Sequence, residues 1–241
     1  MSAIHMMLQG KGGVGKSLAA SLLTQYLMSK ISSDSVCCID ADPVNDTFSG
    51  YKAFPVKRID ILNKDKNINA RAFDGLIEQL VGHDGVAVVD NGSSTFVPLS
   101  AYMIENNVVP FLTEMGKTVY IHTVLTGGQG LDDTMTGLNT LLSTQPAQIV
   151  VWENEYFGEV IKEGKRFIDS KMYDKNKERI QGIVTIHRRN HETYVVDMEY
   201  LAAKKMTFDE GMSSGLFEMM AKQRLRTMQR SIYDQLAHIG M

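Results

Sequence analysis

The sequence predicts an α/β protein whose mostly parallel, twisted sheet has helices on both faces. Short apolar runs alternate along the chain with segments of helical periodicity, the pattern of strands joined by crossover helices. A glycine-rich segment, residues 10–17, stands between the first apolar run and the first helical segment. Aspartates follow the apolar runs at 36–39 and 85–89, and the carboxyl ends of parallel strands are where such sheets bind ligands.

Length and composition restrict the class of protein. The 241 residues suffice for one large α/β domain, and no change in composition marks a second, so we expect a single domain over 1–241. The formal net charge of −3 argues against a generally basic nucleic-acid binder, and any DNA contact would need a local basic patch. No apolar run is long enough to predict an integral membrane segment.

The two cysteines, Cys37 and Cys38, are adjacent and predict no disulfide framework. Reduced thiols in a buried strand are typical of a cytoplasmic protein. A cleavable leader is not expected, because its removal would take away the strand that precedes the glycine-rich segment. The histidines and cysteines show no metal-ligand spacing.

Periodicity and turn residues predict the elements of the first half of the chain. They are a strand at 3–9, a helix at 16–30, a strand at 36–39, a weaker strand at 56–62, a helix from 69 to 82, and a strand at 85–89. In the second helix we expect Asn69 as the N-cap and Gly82 as the stop.

The second half continues the alternation of helices and strands. We expect helical segments over 96–115 with a break near Pro110, strands at 118–125, 148–152 and 182–186, a helix through 131–142, and helix from 202 to the end. The last helix has a basic face and an apolar stripe, which predict packing on the sheet; contact of the basic face with membrane or DNA is the alternative. The loop at 187–191 is expected to be solvated.

Residues 10–17, Gly-Lys-Gly-Gly-Val-Gly-Lys-Ser, match the P-loop pattern G-x-x-x-x-G-K-S/T between a strand and a helix. Backbone N–H groups of such a loop point inward and bind anions, and the helix N-terminus adds positive potential. The sequence therefore predicts an ATP site formed by Gly10, Lys11, Gly12, Gly13, Val14, Gly15, Lys16, Ser17 and Leu18. Lys16 would reach the β- and γ-phosphates and Ser17 would ligate Mg²⁺. A chance glycine-rich turn is the alternative.

Acidic residues follow two of the predicted strands. Asp40 and Asp42 follow the strand at 36–39, where a carboxylate can hold Mg²⁺ through water or position an attacking water. Asp90 ends the strand at 85–89 in the manner of a Walker B aspartate, close to the Mg²⁺ of a P-loop. Residues 91–94 would then respond to the γ-phosphate. The alternative for each aspartate is a turn residue that binds backbone amides.

The pattern Lys-Gly-Gly-x-Gly-Lys-Ser at 11–17 resembles the deviant Walker A signature of the ParA/MinD family of cytoplasmic ATPases. The resemblance implies an ATP-dependent homodimer in which Lys11 reaches the partner's nucleotide, as an arginine finger does in trans. It also implies that Asp42 orients the hydrolytic water, that Asp40 supports the Mg²⁺ site, and that Asn154 reads the adenine edge. A solvated charge at Lys11 and a turn-forming Asn154 are the alternatives.

Three longer stretches resemble the TraL proteins of conjugative plasmids, which are ParA-like ATPases encoded among DNA-transfer genes. They are residues 4–11 (Ile-His-Met-Met-Leu-Gln-Gly-Lys), 90–100 (Asp-Asn-Gly-Ser-Ser-Thr-Phe-Val-Pro-Leu-Ser) and 204–209 (Lys-Lys-Met-Thr-Phe-Asp). The resemblance implies a role in conjugative transfer and a protein partner in the conjugation apparatus. Residues 44–46, Val-Asn-Asp, differ from the Gln-Gly-Asn usual in partition ATPases, and no N-terminal extension could hold a DNA-binding helix-turn-helix.

The main hypothesis is therefore an ATP-binding, slowly hydrolysing dimeric switch that serves conjugative DNA transfer. One alternative is a ParA-like partition or cargo-positioning ATPase that contacts nonspecific DNA. Another is a nucleotide-dependent scaffold without significant hydrolysis. A small-molecule kinase is a third, against which the second lysine of the loop, Lys11, argues.

Overall fold

Residues 2–241, which this computed structural model describes, form a layered α/β structure. In chain order the strands are β1 (Ala3–Met7), β2 (Val36–Asp40), β3 (Val56–Arg58), β4 (Val86–Asp90), β5 (Thr118–Thr126), β6 (Gln148–Asn154), β7 (Ile161–Lys162), β8 (Lys165–Arg166) and β9 (Ile180–Ile186). The helices are α1 (Lys16–Lys30), α2 (Ala72–Gly82), α3 (Phe96–Glu105), α4 (Val108–Glu114), α5 (Leu131–Thr144), α6 (Lys171–Asn176), α7 (Val196–Ala203), α8 (Phe208–Ser213) and α9 (Met219–His238).

The central sheet has seven strands in the order β3-β2-β4-β1-β5-β6-β9, and every neighbouring pair is parallel. Successive side chains of a strand point to opposite faces, so Cys38 packs in one hydrophobic core and Ile39 in the other. Helices α2 to α5 cover one face, and α1 with α7 to α9 covers the other. The predicted fold class, a parallel sheet between two helical layers, is confirmed.

The register of the sheet brings the ends of three strands together. Met7 of β1 lies opposite Asp90 of β4, and Asp90 in turn lies opposite Asp40 of β2. The loop that leaves β1 therefore begins beside two strand-terminal carboxylates. This edge of the sheet holds the candidate site.

A chain of hydrogen bonds between buried rings crosses three adjacent strands. Trp152 Nε1 of β6 donates to His122 Nδ1 of β5 (3.0 Å), and His122 Nε2 lies 2.9 Å from His5 Nδ1 of β1. Because the indole only donates, His122 accepts at Nδ1 and carries its proton on Nε2, which donates to His5. Burial lowers the pKa of His5 to about 4 and that of His122 well below its usual value. Both rings are therefore neutral near pH 7.

The last helix packs on the sheet, as its apolar stripe predicts. Leu225, Ile232 and Leu236 of α9 are buried in the core of that face. At the edge strand β9, the Gln235 side-chain oxygen accepts the N–H of Thr185 (2.7 Å), and its amide donates to the Thr185 carbonyl (3.1 Å). The Gln235 side chain of α9 thus binds the backbone of β9, the outermost strand at this edge of the sheet.

The break in the predicted helix at 96–115 falls before the proline. Helix α3 ends at Glu105, Asn107 adopts a left-handed conformation (φ 49°), and α4 begins at Val108. Pro110 lies in the first turn of α4, where backbone N–H groups have no partner within the helix. The proline therefore helps to start the second helix rather than to end the first.

Two predicted boundaries are wrong in the region before β4. Helix α2 begins at Ala72, because the Asn69 side chain accepts the N–H of Arg71 (3.1 Å) in a turn that precedes the helix. The strand predicted at 56–62 pairs with its neighbour only over Val56–Arg58, after which Leu62 forms an isolated bridge with Ile68.

The C-terminal region is also less regular than predicted. Instead of one helical stretch from 202, it has α7, α8 and α9 with breaks between them. Lys205 takes a left-handed conformation (φ 53°) after α7, and Thr207 forms a capping box with Glu210 that starts α8. The hairpin β7–β8 and helix α6 are not predicted from the sequence. Of the helices in residues 2–241, none has both the length and the apolar character needed to cross a membrane.

Candidate functional site

The glycine-rich segment forms the loop between β1 and the N-terminus of α1. Gly13 and Gly15 have φ values of 74° and 101°, a left-handed backbone that suits glycine. The Ala19 N–H donates to the Gly15 carbonyl (2.9 Å), so the helix starts directly from the loop. The N–H groups in the first turn of a helix have no partner within the helix, and a glycine-rich loop that leads into such a turn is the arrangement that binds phosphate.

Lys16 is buried at the base of this loop, with 8% of its surface exposed. Its ammonium donates to the carbonyl of Lys11 (3.1 Å). Burial lowers the pKa of Lys16, and the negative charges of Asp90 and Asp42 oppose that effect. A cation is therefore held inside the loop, close to the carboxylates that end β2 and β4.

Asp90 has the features expected of a cation ligand. It is 1% exposed, and its Oδ1 has no hydrogen-bond partner. Burial raises the pKa of Asp90 to about 7; the Ser17 hydroxyl and Lys16 oppose this rise, and Asp40 adds to it. A buried oxygen without a partner, next to a hydroxyl, fits the oxygen donors that Mg²⁺ prefers. No cluster of three or more His, Cys, Asp or Glu side chains able to hold a metal occurs in residues 2–241.

Asp40 uses both carboxylate oxygens to hold the loop that follows β2. Its Oδ1 accepts the N–H of Asp42 (3.1 Å), and its Oδ2 accepts the N–H of Ser49 (2.9 Å). This is the turn arrangement that the sequence left open as an alternative. A role for Asp40 at a Mg²⁺ site stays a prediction.

Asp42 lies where the loops after β2 and β4 meet. Its Oδ1 accepts the N–H groups of Val44 (2.9 Å) and Asn45 (3.1 Å). A Cβ atom at Gly92 would lie only 2.6 Å from the same oxygen, so a side chain at 92 would displace the carboxylate. Glycine at 92 thus permits the contact between the two loops.

The segment after β4 also lies against the glycine-rich loop. The buried Asn91 donates from Nδ2 to the carbonyl of Met7 (3.1 Å), while its Oδ1 has no partner. A Cβ at Gly10 would lie 3.0 Å from the ring of Phe96. A Cβ at Gly12 would lie 3.3 Å from Ser93 Oγ. Residues 91–94, which the sequence indicates as a segment that responds to the γ-phosphate, therefore lie against the glycine-rich loop.

Lys11 lies at the surface and pairs with α5. Its ammonium is 2.8 Å from Asp133 Oδ2, and both side chains are about half exposed. The neighbouring carboxylate, Asp132, pairs with Lys162 of the β7–β8 hairpin (2.6 Å). The two lysines of the loop therefore have different positions, one inside it and one on the protein surface.

Gln9 is a site residue to which the sequence gives no role. It is 1% exposed and ends the run that leads from β1 into the loop. Its Nε2 lies within bonding distance of Thr123 Oγ1 (3.2 Å) and the carbonyls of Val124 (3.0 Å) and Thr134 (3.1 Å). The available signal was a polar residue at the end of a buried strand, directly before the glycine-rich segment.

Asn154 braces the loop from the other side. Its Nδ2 donates to the carbonyl of Val14 (2.9 Å), and its Oδ1 accepts the N–H of Tyr156 (3.2 Å). Beside it lies a cavity of about 410 Å³. Residues that border this cavity include Leu18, Asn154, Ile186, Arg189, Tyr194 and Met228. The loop at 187–191, expected to be solvated, is largely exposed and also borders the cavity.

Together these contacts gather the predicted residues at one edge of the sheet. Asp90 lies close to the Ser17 hydroxyl and to Lys16, and the charge of Asp42 acts on both Lys16 and Asp90. Lys11 and Asn154 lie on opposite sides of the glycine-rich segment, against α5 and beside the cavity.

Solved structures share this fold at low sequence identity. A putative plasmid partition protein from Borrelia burgdorferi bound to AMPPNP matches with a TM-score of 0.51 at 16% identity, over 99% of this chain and 98% of that one. The MinD cell division protein of Aquifex aeolicus also gives a TM-score of 0.51, at 15% identity over 95% and 96% of the two chains. These likenesses support the predicted fold of the ParA/MinD type.

The sequence comparison is closer. No protein-family model matches the chain. A TraL protein of Escherichia coli is 45% identical over 98% of both chains. A second Escherichia coli TraL protein is 44% identical over the full length of both. The resemblance seen in three stretches thus extends along the whole sequence, and the chain belongs to the TraL protein family.

Proposed function

We propose that this chain is an ATPase that acts as an ATP-dependent molecular switch. Two subunits close face to face around two ATP molecules, engage a partner protein and release it after slow hydrolysis. The observation that carries the proposal is the buried carboxylate of Asp90, whose Oδ1 has no hydrogen-bond partner, beside Ser17 and Lys16 at the mouth of a P-loop.

Residues 10–18 would bind the nucleotide phosphates through backbone N–H groups and the Lys16 ammonium. The Ser17 hydroxyl and Asp90 would hold Mg²⁺, with Asp40 in support. Bound there, Mg²⁺ would neutralise negative charge that develops on the phosphates. The partition protein of similar fold was solved with AMPPNP, which supports a nucleotide as the ligand.

The cavity beside Asn154 is the proposed place of the base. It opens next to Leu18, the residue after the P-loop, and its aromatic and apolar lining suits a flat heterocycle. Asn154 already donates to the loop through Nδ2. We therefore expect its side chain to couple the base site to the phosphate site as well as to border the adenine.

Asp42 is the proposed residue that positions the hydrolytic water. Its carboxylate accepts hydrogen bonds from backbone N–H groups of the loop after β2. To hold a water, Asp42 must either give up these bonds as the loop rearranges or accept a bond from the water in addition to them. The contact between Asp42 and Gly92 gives a route by which the γ-phosphate sensed near 91–94 would influence that rearrangement.

Lys11 is the proposed trans-acting cation. Its present ion pair with Asp133 is half exposed, and such pairs contribute at most about 1 kcal/mol. A polyphosphate on a partner subunit is a stronger site for an ammonium, especially once water is excluded. Lys11 would then add positive charge to the partner's phosphates in the transition state.

We place the activity in the cytoplasm, in a single domain, as an accessory to plasmid conjugative DNA transfer with a protein of the conjugation apparatus as partner. The identity of 45% with an Escherichia coli TraL protein supports this role. Capture of an apparatus protein that requires ATP, from cells carrying the transfer system, would identify the partner.

The first test is dimerisation of Lys11→Ala with a non-hydrolysable ATP analogue. We expect the variant to bind nucleotide but to associate at least about tenfold more weakly, since one buried charge contact is lost across the interface. Sedimentation velocity measures the association. Lys175→Ala, which removes an exposed lysine of α6, is the control and should dimerise like the wild type. Unchanged dimerisation of Lys11→Ala would show the trans role to be wrong.

Two further measurements separate the alternatives. Phosphate release by the wild type, absent in Lys16→Ala, distinguishes an ATPase from a scaffold that only binds nucleotide. ATP-dependent binding to nonspecific DNA that weakens steeply with salt would favour the partition alternative. Its absence at low salt would remove that alternative.

A further inference from the structure

We propose that Gln9 and Gly137 are positioning residues for Lys11, and that α5 is the element through which they act. Gln9 fixes the backbone on which Lys11 stands, and the missing side chain at Gly137 provides the space that Gln9 occupies. This inference rests on the proposed trans role of Lys11.

The fit between Gln9 and Gly137 is close. A Cβ atom at position 137 would lie 2.2 Å from Gln9 Oε1, 2.9 Å from Cδ and 3.0 Å from Nε2. The whole amide of Gln9 thus fills the place of a side chain on α5. Glycine is unfavourable inside a helix, so its presence within α5 is explained by this contact rather than by helix formation.

The amide of Gln9 is held in one orientation. Its Nε2 donates towards acceptors on β5 and towards the Thr134 carbonyl of α5, and the residue is buried away from water. A rotation would take Nε2 away from these acceptors while it stays buried, which is unfavourable. The Oε1 atom is therefore fixed as well, and it accepts the N–H of Lys11 (3.4 Å).

Helix α5 thus acts on both the backbone and the ammonium of Lys11. It packs against Gln9, which accepts the Lys11 N–H, and its Asp133 pairs with the Lys11 ammonium. A cavity of about 300 Å³, bordered by Lys11, Phe96 and Asp133, leaves room for the side chain to swing while its backbone stays in place. A side chain whose backbone is fixed and whose ammonium can move is well suited to reach a defined position on a neighbouring subunit.

The test is Gly137→Ala, which places a methyl group in the space of the Gln9 amide. We expect the variant to stay folded and to bind a fluorescent ATP analogue within about twofold of the wild type, because Gly137 lies on α5, outside the phosphate-binding loop, and Gln9 bonds only the Lys11 N–H of that loop. We expect dimerisation with a non-hydrolysable analogue to weaken about fivefold or more, since small displacements of a reacting group have large effects.

Gly75→Ala is the matched control. Gly75 is also inside a helix, α2, but no atom lies within 4 Å of its Cβ position. This variant should gain helix propensity in the same way and should dimerise like the wild type. Gln9→Ala, which deletes the amide instead of displacing it, should weaken dimerisation as Gly137→Ala does.

A double-mutant cycle with Lys11→Ala separates positioning from general damage. If Gly137 acts through Lys11, adding Gly137→Ala to Lys11→Ala weakens dimerisation no further. Additive losses would overturn the inference, as would a Gly137→Ala variant that dimerises like the Gly75→Ala control while Lys11→Ala is impaired. Normal dimerisation of Lys11→Ala itself would overturn the proposed trans role, and this inference with it.

Discussion

At the scale of single residues, Asp90 shows how position in the sheet sets chemistry. The end of β4 is enclosed by β1 and β2, which buries its carboxyl and raises its pKa from 3.8 to about 7. Near pH 7 the carboxyl is therefore about half protonated and half ionised, and the ionised form is the one that binds a cation. Proton and Mg²⁺ are therefore expected to compete for this one oxygen pair.

Substitution Asp90→Asn should stabilise the nucleotide-free protein at pH 8. The pKa of Asp90 is higher in the folded than in the unfolded protein, so between pH 4 and 7 the folded state binds the extra proton and its stability falls as pH rises. Asparagine removes the buried charge, and we expect the melting temperature to rise by at least about 3 °C at pH 8 and by about half as much at pH 5.5, because only half of the range from 3.8 to 7 has been crossed at that pH.

Thermal unfolding at the two pH values, without nucleotide, measures this effect. Asp234→Asn removes an exposed carboxylate of α9 and should show no such pH-dependent gain. A melting temperature of Asp90→Asn that is equal to or below that of the wild type at pH 8 would contradict the raised pKa.

At the scale of elements, the ring chain of His5, His122 and Trp152 joins β1, β5 and β6 through side chains as well as backbone. Each histidine must stay neutral for the chain to persist, because a second proton would place two donors face to face. The centre of the sheet is therefore sensitive to acid.

We expect the hydrogen-bonded rings of His5, His122 and Trp152 to make the free energy of unfolding fall as the pH falls from 6.5 towards 4. The pKa of His5 is about 4 in the folded protein and near 6.5 when unfolded, so over this range the unfolded state takes up more protons. Replacing both histidines, His5→Gln with His122→Gln, should remove about 1.4 kcal/mol per pH unit of that slope for each residue. Urea unfolding followed by the fluorescence of Trp152, the single tryptophan, measures the slope.

His238→Gln, which changes an exposed histidine of α9, should keep the wild-type slope. Asp90 acts in the opposite direction over the same range, so slopes are compared between variants rather than taken alone. A double variant with the slope of the wild type would rule out the buried pair as the source of acid sensitivity.

Elements with strong periodicity or a motif at their ends could be predicted from the sequence, and those fixed by tertiary contacts could not. The apolar spacing of α1 and α2 and the buried runs of the long strands were sufficient. The β7–β8 hairpin has two residues in each strand, too few for a pattern. Asn69 has the chemistry of an N-cap, yet its side chain closes a turn that precedes the helix.

The same division holds for the candidate site. Lys16, Asp42 and Asp90 belong to short motifs with fixed spacing, so sequence alone indicates them. The fit of Gln9 into Gly137 joins residues far apart in the chain, and without the sheet order nothing in the sequence connects them.

At the scale of the whole molecule, the last described residues contact both the edge strand β9 and helix α1. Gln181 of β9 donates to the carbonyl of Ile239 (2.7 Å), and the Tyr26 hydroxyl of α1 donates to the carbonyl of Met241 (2.8 Å). A Cβ at Gly182 would lie 2.3 Å from Ile239 Cγ2. The final residues therefore tie α9 to both the sheet and the first helix.

Gly182→Ala should lower the free energy of unfolding by about 1–3 kcal/mol, because the added methyl group collides with Ile239. Combining it with Ile239→Ala should restore part of the loss, since the second change vacates the space. Gly215→Ala, where no atom lies within 4 Å of the Cβ position, should change stability by less than about 0.5 kcal/mol. Urea unfolding of the four proteins checks this, and failure of Ile239→Ala to rescue would point away from the collision.

The bonds between Gln235 and Thr185 have a consequence for association. An outermost strand offers unpaired backbone groups to any other extended chain, which is a route to fibres and aggregates. Here the side-chain amide of Gln235 on α9 bonds to both the N–H and the carbonyl of Thr185, as the backbone of a further strand would. Growth of the sheet from one molecule into the next is thereby discouraged, so self-association through another face can produce a closed pair instead of an open polymer.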